Sequence, residues 1–133
     1  MSLSSSESKQ FVGRYLQALS GQPKTPELVA RFVSDAALAE HICQVEEAFP
    51  AYEVIAEELI AEKDLVAVRA TFQGVHSGPF AGIPATGRSV SVPFMIIYRV
   101  AGDRIVEHWM QFDAAALMSQ LQVALSNRSP DET

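Results

Sequence analysis

The chain holds a single cysteine, Cys43, so no disulfide can close within it, and a reducing, cytoplasmic setting is expected. Nothing around Cys43 marks a nucleophile, and it reads as a small apolar core residue. Positive charge is also scarce: ten Lys and Arg against sixteen Asp and Glu leave a formal net charge of −6. Without a basic stripe to neutralise phosphates, nucleic acid is not an expected partner. No apolar run approaches the roughly 20 residues of a membrane span. The opening MSLSSSESKQF holds no apolar stretch of signal-peptide length, so no membrane partner is expected. The three histidines, His41, His76 and His108, show no paired spacing on one helix or strand. The sequence therefore predicts no metal and no other cofactor.

What is present is an ordinary globular composition: 133 residues, 48% of them hydrophobic, which suits one domain over residues 1–133 with one core. Ser4-Ser5-Ser6-Glu7 is a capping box, and Phe11, Val12, Tyr15, Leu16 and Leu19 follow at helical spacing until Gly21 and Pro23. Thr25-Pro26 opens a second, short helix. A third runs from about Asp35, with Leu38, Ile42, Val45 and Phe49 on one face and Pro50 as its stop.

The period then changes. Val66, Val68, Ala70 and Phe72 alternate with Leu65, Ala67, Arg69 and Thr71 as in a strand. Ser89 to Val100 and Ile105 to Phe112 read as two more, joined by a hairpin at Ala101-Gly102-Asp103-Arg104. Leu117, Leu121 and Leu125 mark a closing helix, before a polar tail that is expected to fray. Tyr52 to Glu62 has the propensity of a helix, but it lies directly before a strand across a short turn. Helices first, hairpin-linked strands next and a helix last argue for an α+β fold.

Several short stretches, in this order, resemble the SnoaL-like polyketide (ester) cyclases of the NTF2-like superfamily. They are Ala48-Phe49-Pro50, Val66-Ala67-Val68-Arg69, Gly74-Val75-His76-Ser77-Gly78, Ile83-Pro84-Ala85-Thr86-Gly87-Arg88, Asp103 through Trp109, Asp113 and Gln120-Leu121. The resemblance implies an NTF2-like cone, a curved antiparallel sheet closed by N-terminal helices around an interior pocket, with Tyr52–Glu62 as a strand. It also implies an aspartate acid/base on the last strand, matched to Asp113. Two departures from the family concern the pocket wall. Residues 33–40 (VSDAALAE) lack the usual histidine, and Ala85 interrupts the double proline before Thr86-Gly87.

With Gly102 and Asp103 as the turn, simple pairing sets Tyr98 opposite Glu107, Ile96 opposite Trp109, Phe94 opposite Gln111 and Val92 opposite Asp113. These eight would line one face, the expected wall of a small-molecule pocket, with His108 on the other. Asp113 is then the catalytic candidate, a carboxylate whose pKa rises among apolar groups. It also stands directly before Ala114-Ala115-Ala116, where an aspartate caps a helix.

Candidate substrate-binding residues are Trp109, His76, Tyr98, Glu107 and Tyr15. Trp109 would wall a flat substrate or fill core. His76 would reach a ligand at the pocket mouth or sit on a surface loop. Glu107 would support Asp113 or be an exposed charge, and Tyr15 would turn its hydroxyl inward or pack as core. GIPATGRS over residues 82–89 copies a phosphate-binding loop, but Ser89 opens a strand rather than the helix such a loop requires.

The seven carboxylates between Glu46 and Asp64 read as a solvated surface. The expected function is cofactor-free cyclisation or isomerisation of a hydrophobic carbonyl or ester compound. The alternatives are a module that binds an apolar small molecule without turnover and a dimerisation module. Residues 93–99 and 106–112 are apolar on both faces, more than one pocket buries, so a homodimer is expected.

Overall fold

The computed structural model describes residues 4–121, so Leu125 and the polar tail lie outside the described residues. Helix α1 (Ser5–Leu19) starts on its capping box: Ser4 Oγ accepts from the Glu7 amide at 3.1 Å, and the Ser4 amide donates to the Glu7 carboxylate at 2.9 Å. Its apolar stripe is buried as the spacing predicts. Thr25 caps the short α2 (Pro26–Ala30) and Asp35 caps α3 (Ala36–Ala48). Cys43, on α3, is half-buried rather than core. Among the described residues no helix is long and apolar enough to cross a membrane.

Four strands follow, β1 (Glu53–Glu62), β2 (Leu65–Val75), β3 (Ser89–Ala101) and β4 (Arg104–Phe112), and then α4 (Ala114–Leu121). They form one antiparallel sheet in chain order, curved but not closed. Tyr52–Glu62 is thus strand from Glu53 onward, because pairing with β2 outweighs its helical propensity. Lys63 takes a positive φ of 55° in the tight β1–β2 turn. The first turn of α1 holds that turn in place: Lys63 N donates to Ser5 Oγ at 2.7 Å, and Ser8 Oγ donates to the Lys63 carbonyl. Ser89 opens a strand, as the rejection of a phosphate loop requires.

The β3–β4 hairpin corrects the expected register. Ala101 pairs Arg104 and Val100 pairs Ile105, but Arg99 then pairs Glu107, so Val106 is an extra residue in a bulge. The segment before α3 occupies the free edge of β4 at this point: Ile105 N donates to the Phe32 carbonyl at 2.7 Å, and Ser34 N donates to the Ile105 carbonyl at 2.8 Å. Ile105 is fully buried. Beyond the bulge every side chain changes face relative to simple pairing. Tyr98 stands opposite His108, Ile96 opposite Met110 and Phe94 opposite Phe112, all toward the helices, while Ile97 and Trp109 pair on the outer face.

The loop between β2 and β3 folds back onto the end of α3. Ser77 N and Gly78 N both donate to the Ala48 carbonyl, at 2.9 and 3.1 Å. Gly78 lies so close to α3 that an added Cβ would fall inside the Glu47 carbonyl oxygen.

Candidate functional site

Between α1, α3 and the inner face of the sheet lies a cavity of about 110 Å³. Its wall is mostly apolar, with Leu16, Leu38, Ile42, Phe49, Phe72, Phe94, Ile96, Met110 and Phe112 among the lining side chains. The polar groups in it are few: Tyr15, Tyr52 and Tyr98, Lys24, Ser20 and His41. A concave, mostly apolar site with a few placed polar groups is the usual form of a small-molecule pocket. The chain contains three tyrosines, and all of them line this cavity.

Tyr15 arrives from the buried stripe of α1 and Tyr98 from the inner face of β3, their rings edge to face at 5.6 Å. Burial raises the pKa of Tyr15, Tyr98 and Tyr52, and each is raised further by a neighbouring tyrosine. They remain protonated donors at neutral pH. Lys24 is 3% exposed. Its Nζ donates to the carbonyls of Gln22 at 2.8 Å and Tyr52 at 2.7 Å, sits 3.8 Å from the Tyr52 ring centre, and lies 3.7 Å from Glu46 Oε1. Burial lowers its pKa from 10.5 to about 8, against the opposing pull of Glu46 and Glu53.

These shifts fix a pH dependence of stability. Between about 8 and 10.5 the unfolded chain keeps the Lys24 proton that the folded chain sheds. The unfolded state then binds more protons, so this contribution to stability rises with pH. Above 10.0, the ordinary tyrosine value, the unfolded tyrosines ionise while the buried ones stay protonated, and stability falls again. Urea midpoints are therefore expected to rise from pH about 8 to about 10 and then decline. In Lys24→Met the rising limb should disappear while the decline remains, whatever the absolute stability of the variant.

A second polar pair joins the start of α3 to β4, outside the cavity wall. Asp35 Oδ2 and His108 Nδ1 are 2.7 Å apart, while Asp35 Oδ1 accepts the Leu38 amide of α3. Burial pushes the Asp35 carboxyl up, but the bonds from His108 and from Leu38 outweigh it and leave it below its ordinary value. His41, one turn after Leu38 on α3, lines the cavity. Burial, and secondarily the charge of His108, lower its pKa.

The expected site residues divide. Tyr15 and Tyr98 meet at the cavity. Trp109 does not, because the bulge turns it outward: it is 48% exposed and pairs with Ile97. Glu107 is likewise on the outer face, where Arg99 Nε donates to its carboxylate at 2.6 Å. His76 is fully buried rather than at a mouth. Its Nδ1 accepts the Thr86 amide at 3.2 Å and its ring stacks on Phe49 at 5.2 Å, so it braces the loop.

Asp113 is exposed, and its Oδ1 accepts the Ala116 amide at 2.9 Å as the cap of α4. Its carboxylate is not part of the cavity wall, because the bulge removes the parity that would have aimed it there. His108 was expected on the opposite face and lies on the inner one.

Lys24, His41 and Tyr52 were not singled out as site residues. For His41 a signal existed: it stands three residues after Leu38 and four before Val45, on the apolar stripe of α3, where a polar side chain must face the interior. Segment 33–40 lacks the family's histidine but supplies Asp35, the partner of His108. No group of side chains that would hold a metal ion occurs among the described residues.

A family model described as SnoaL-like polyketide cyclase matches residues 10–121. No curated protein matches the chain. Among solved structures, AclR of Streptomyces galilaeus, a proposed hydroxylase, superposes with a TM-score of 0.77 at 22% identity, over 97% of this chain and 89% of that one. TsrD of Streptomyces laurentii gives 0.71 at 23% identity, over 84% and 92%. A SnoaL-like polyketide cyclase of Agrobacterium tumefaciens gives 0.70 at 20% identity, over 86% and 97%. At such identities the likeness is one of fold, and the fold is the NTF2-like cone.

Proposed function

Because the chain belongs to the SnoaL-like polyketide cyclase family, we propose that it is a cofactor-free cyclase or isomerase acting on a hydrophobic carbonyl or ester compound. One observation carries this reading: three protonated tyrosines, from α1, from the residue before β1 and from β3, converge on a mostly apolar cavity. In a site with little water, a hydroxyl aimed at a carbonyl oxygen stabilises the negative charge that grows there when a neighbouring C–H proton leaves. Tyr15 and Tyr98 are the donors in this proposal. The apolar wall selects the carbon skeleton, and a cytoplasmic setting agrees with the lone half-buried cysteine.

The test uses 2-tetralone, a bicyclic ketone, and follows exchange of its α-protons for deuterium by NMR. The protein should accelerate exchange, and Tyr15→Phe or Tyr98→Phe should each reduce it by about 10²-fold or more, with the fold retained. Unchanged exchange in both variants would remove the tyrosines from the mechanism.

The homodimer belongs to the same proposal and rests on the outer face. Ile60, Ala67, Ile97 and Trp109 are direct cross-strand neighbours, a row spanning all four strands. Ile60, Ile97 and Trp109 are 67, 41 and 48% exposed, and Met95 beside them is 59% exposed. A patch of this kind on a sheet is a self-pairing surface. Sedimentation should give a dimer at micromolar concentration, and Trp109→Glu should give a monomer with its cavity intact. A monomeric unaltered protein would end this part of the reading.

A further inference from the structure

We infer that His41 takes and returns the proton in this cavity, with the Asp35–His108 pair as its positioning partner. The inference rests on the carbonyl-substrate reading above.

Few groups of the cavity are free to accept a proton. Lys24 Nζ is committed to two backbone carbonyls and stands near Glu46. The tyrosines are held protonated and act as donors. Asp113 caps α4 outside the cavity. His41 lines the cavity, is partly exposed, and has no hydrogen-bond partner among the described residues. Its imidazole is held neutral by burial and by the charge of His108, the form in which a histidine acts as a base at neutral pH.

The helix that carries His41 is tied to the sheet. Asp35 caps α3, the helix that carries His41, and binds His108 on β4 at 2.7 Å. His108 stands directly opposite Tyr98 in the hairpin. One short bond therefore ties the helix bearing the base to the strand pair bearing the hydroxyl, and sets their separation.

The step balances without a co-reactant. A C–H bond next to the substrate carbonyl breaks and its proton moves to the His41 imidazole, while the electron pair forms an enolate bonded by a tyrosine hydroxyl. The enolate carbon bonds to a second carbonyl carbon of the same molecule. The resulting alkoxide oxygen recovers the proton from the imidazolium, and the protein ends as it began.

The experiment follows α-proton exchange of 2-tetralone in deuterated buffer, with its binding monitored separately by saturation-transfer NMR. His41→Gln should bind the ketone and lose about 100-fold or more of the exchange rate. His41→Ala should be restored by added free imidazole, which a structural role would not permit. Asp35→Asn keeps the cap and should lower the rate constant about 10-fold with an unchanged KM, since it shifts the base without removing wall contacts. Asp113→Asn should exchange as the unaltered protein does. Exchange surviving in His41→Gln overturns the assignment of the base, and if Tyr15→Phe still loses exchange, the carbonyl reading stands without it. An unaltered protein that binds 2-tetralone but does not exchange it overturns the base assignment and the enzymatic reading together, and leaves a binding module. One that neither binds nor exchanges it overturns both readings.

Discussion

Phe49→Ala is expected to cost about 3–5 kcal/mol of stability and to lower the melting midpoint by roughly 10–20 °C. Phe49 is 1% exposed and follows the last turn of α3. Its ring meets Phe72 edge-on at 5.1 Å, Phe80 at 5.7 Å and the His76 imidazole stacked at 5.2 Å. Removing it takes away the transfer energy of the ring and leaves a void that these neighbours cannot fill, because the strand and the loop that carry them are held by backbone bonds. Phe49 also lines the cavity, so the void would join it. Thermal unfolding checks the first effect. A loss below about 1 kcal/mol would mean that the loop collapses onto the gap and that its backbone bonds do not hold it rigid.

Gly78→Ala should be nearly as severe, with a loss of about 3 kcal/mol, although it adds a single carbon at an unremarkable loop position. The new Cβ would occupy the space of the Glu47 carbonyl oxygen, a backbone atom inside α3 that cannot rotate away. The loop must therefore lift, and both amide bonds to the Ala48 carbonyl are lost with it. Gly82→Ala, in the same loop with open space around it but a positive φ of 80°, serves as the comparison. It should lose only the smaller strain of a left-handed alanine, about 1 kcal/mol. Equal losses in the two variants would count against a steric origin at Gly78.

The elements of the fold were open to reading because each is written in local chemistry. Caps at Ser4, Thr25 and Asp35 and the change of period at β2 are properties of neighbouring residues. The facing of β4 was not, because it depends on one extra residue, Val106, placed by contacts with Phe32–Asp35 some seventy positions away. That one residue sent Trp109 and Glu107 outward and His108 inward. It also left Asp113 with the capping role that its place before three alanines always allowed. Tyr15 was legible as inward-facing from its stripe, and Tyr98 reaches the same cavity on the inner face of β3. Lys24 was hidden for a different reason: nothing local announces that a lysine beside Pro23 will find two carbonyls, a carboxylate and an aromatic face in the interior.

The outer strand of the sheet, β1, pairs on one side only, and its sequence has the features that keep such an edge unpaired. A register shift at Glu57 breaks the straight run of backbone donors and acceptors. Glu53, Glu57, Glu58 and Glu62 are all exposed along its ten residues. A foreign strand approaching this edge meets an interrupted template and a line of like charge, the two devices by which sheets refuse to grow sideways. Stacking across the outer face, through Trp109 and Ile97, stays open while ladder extension is closed.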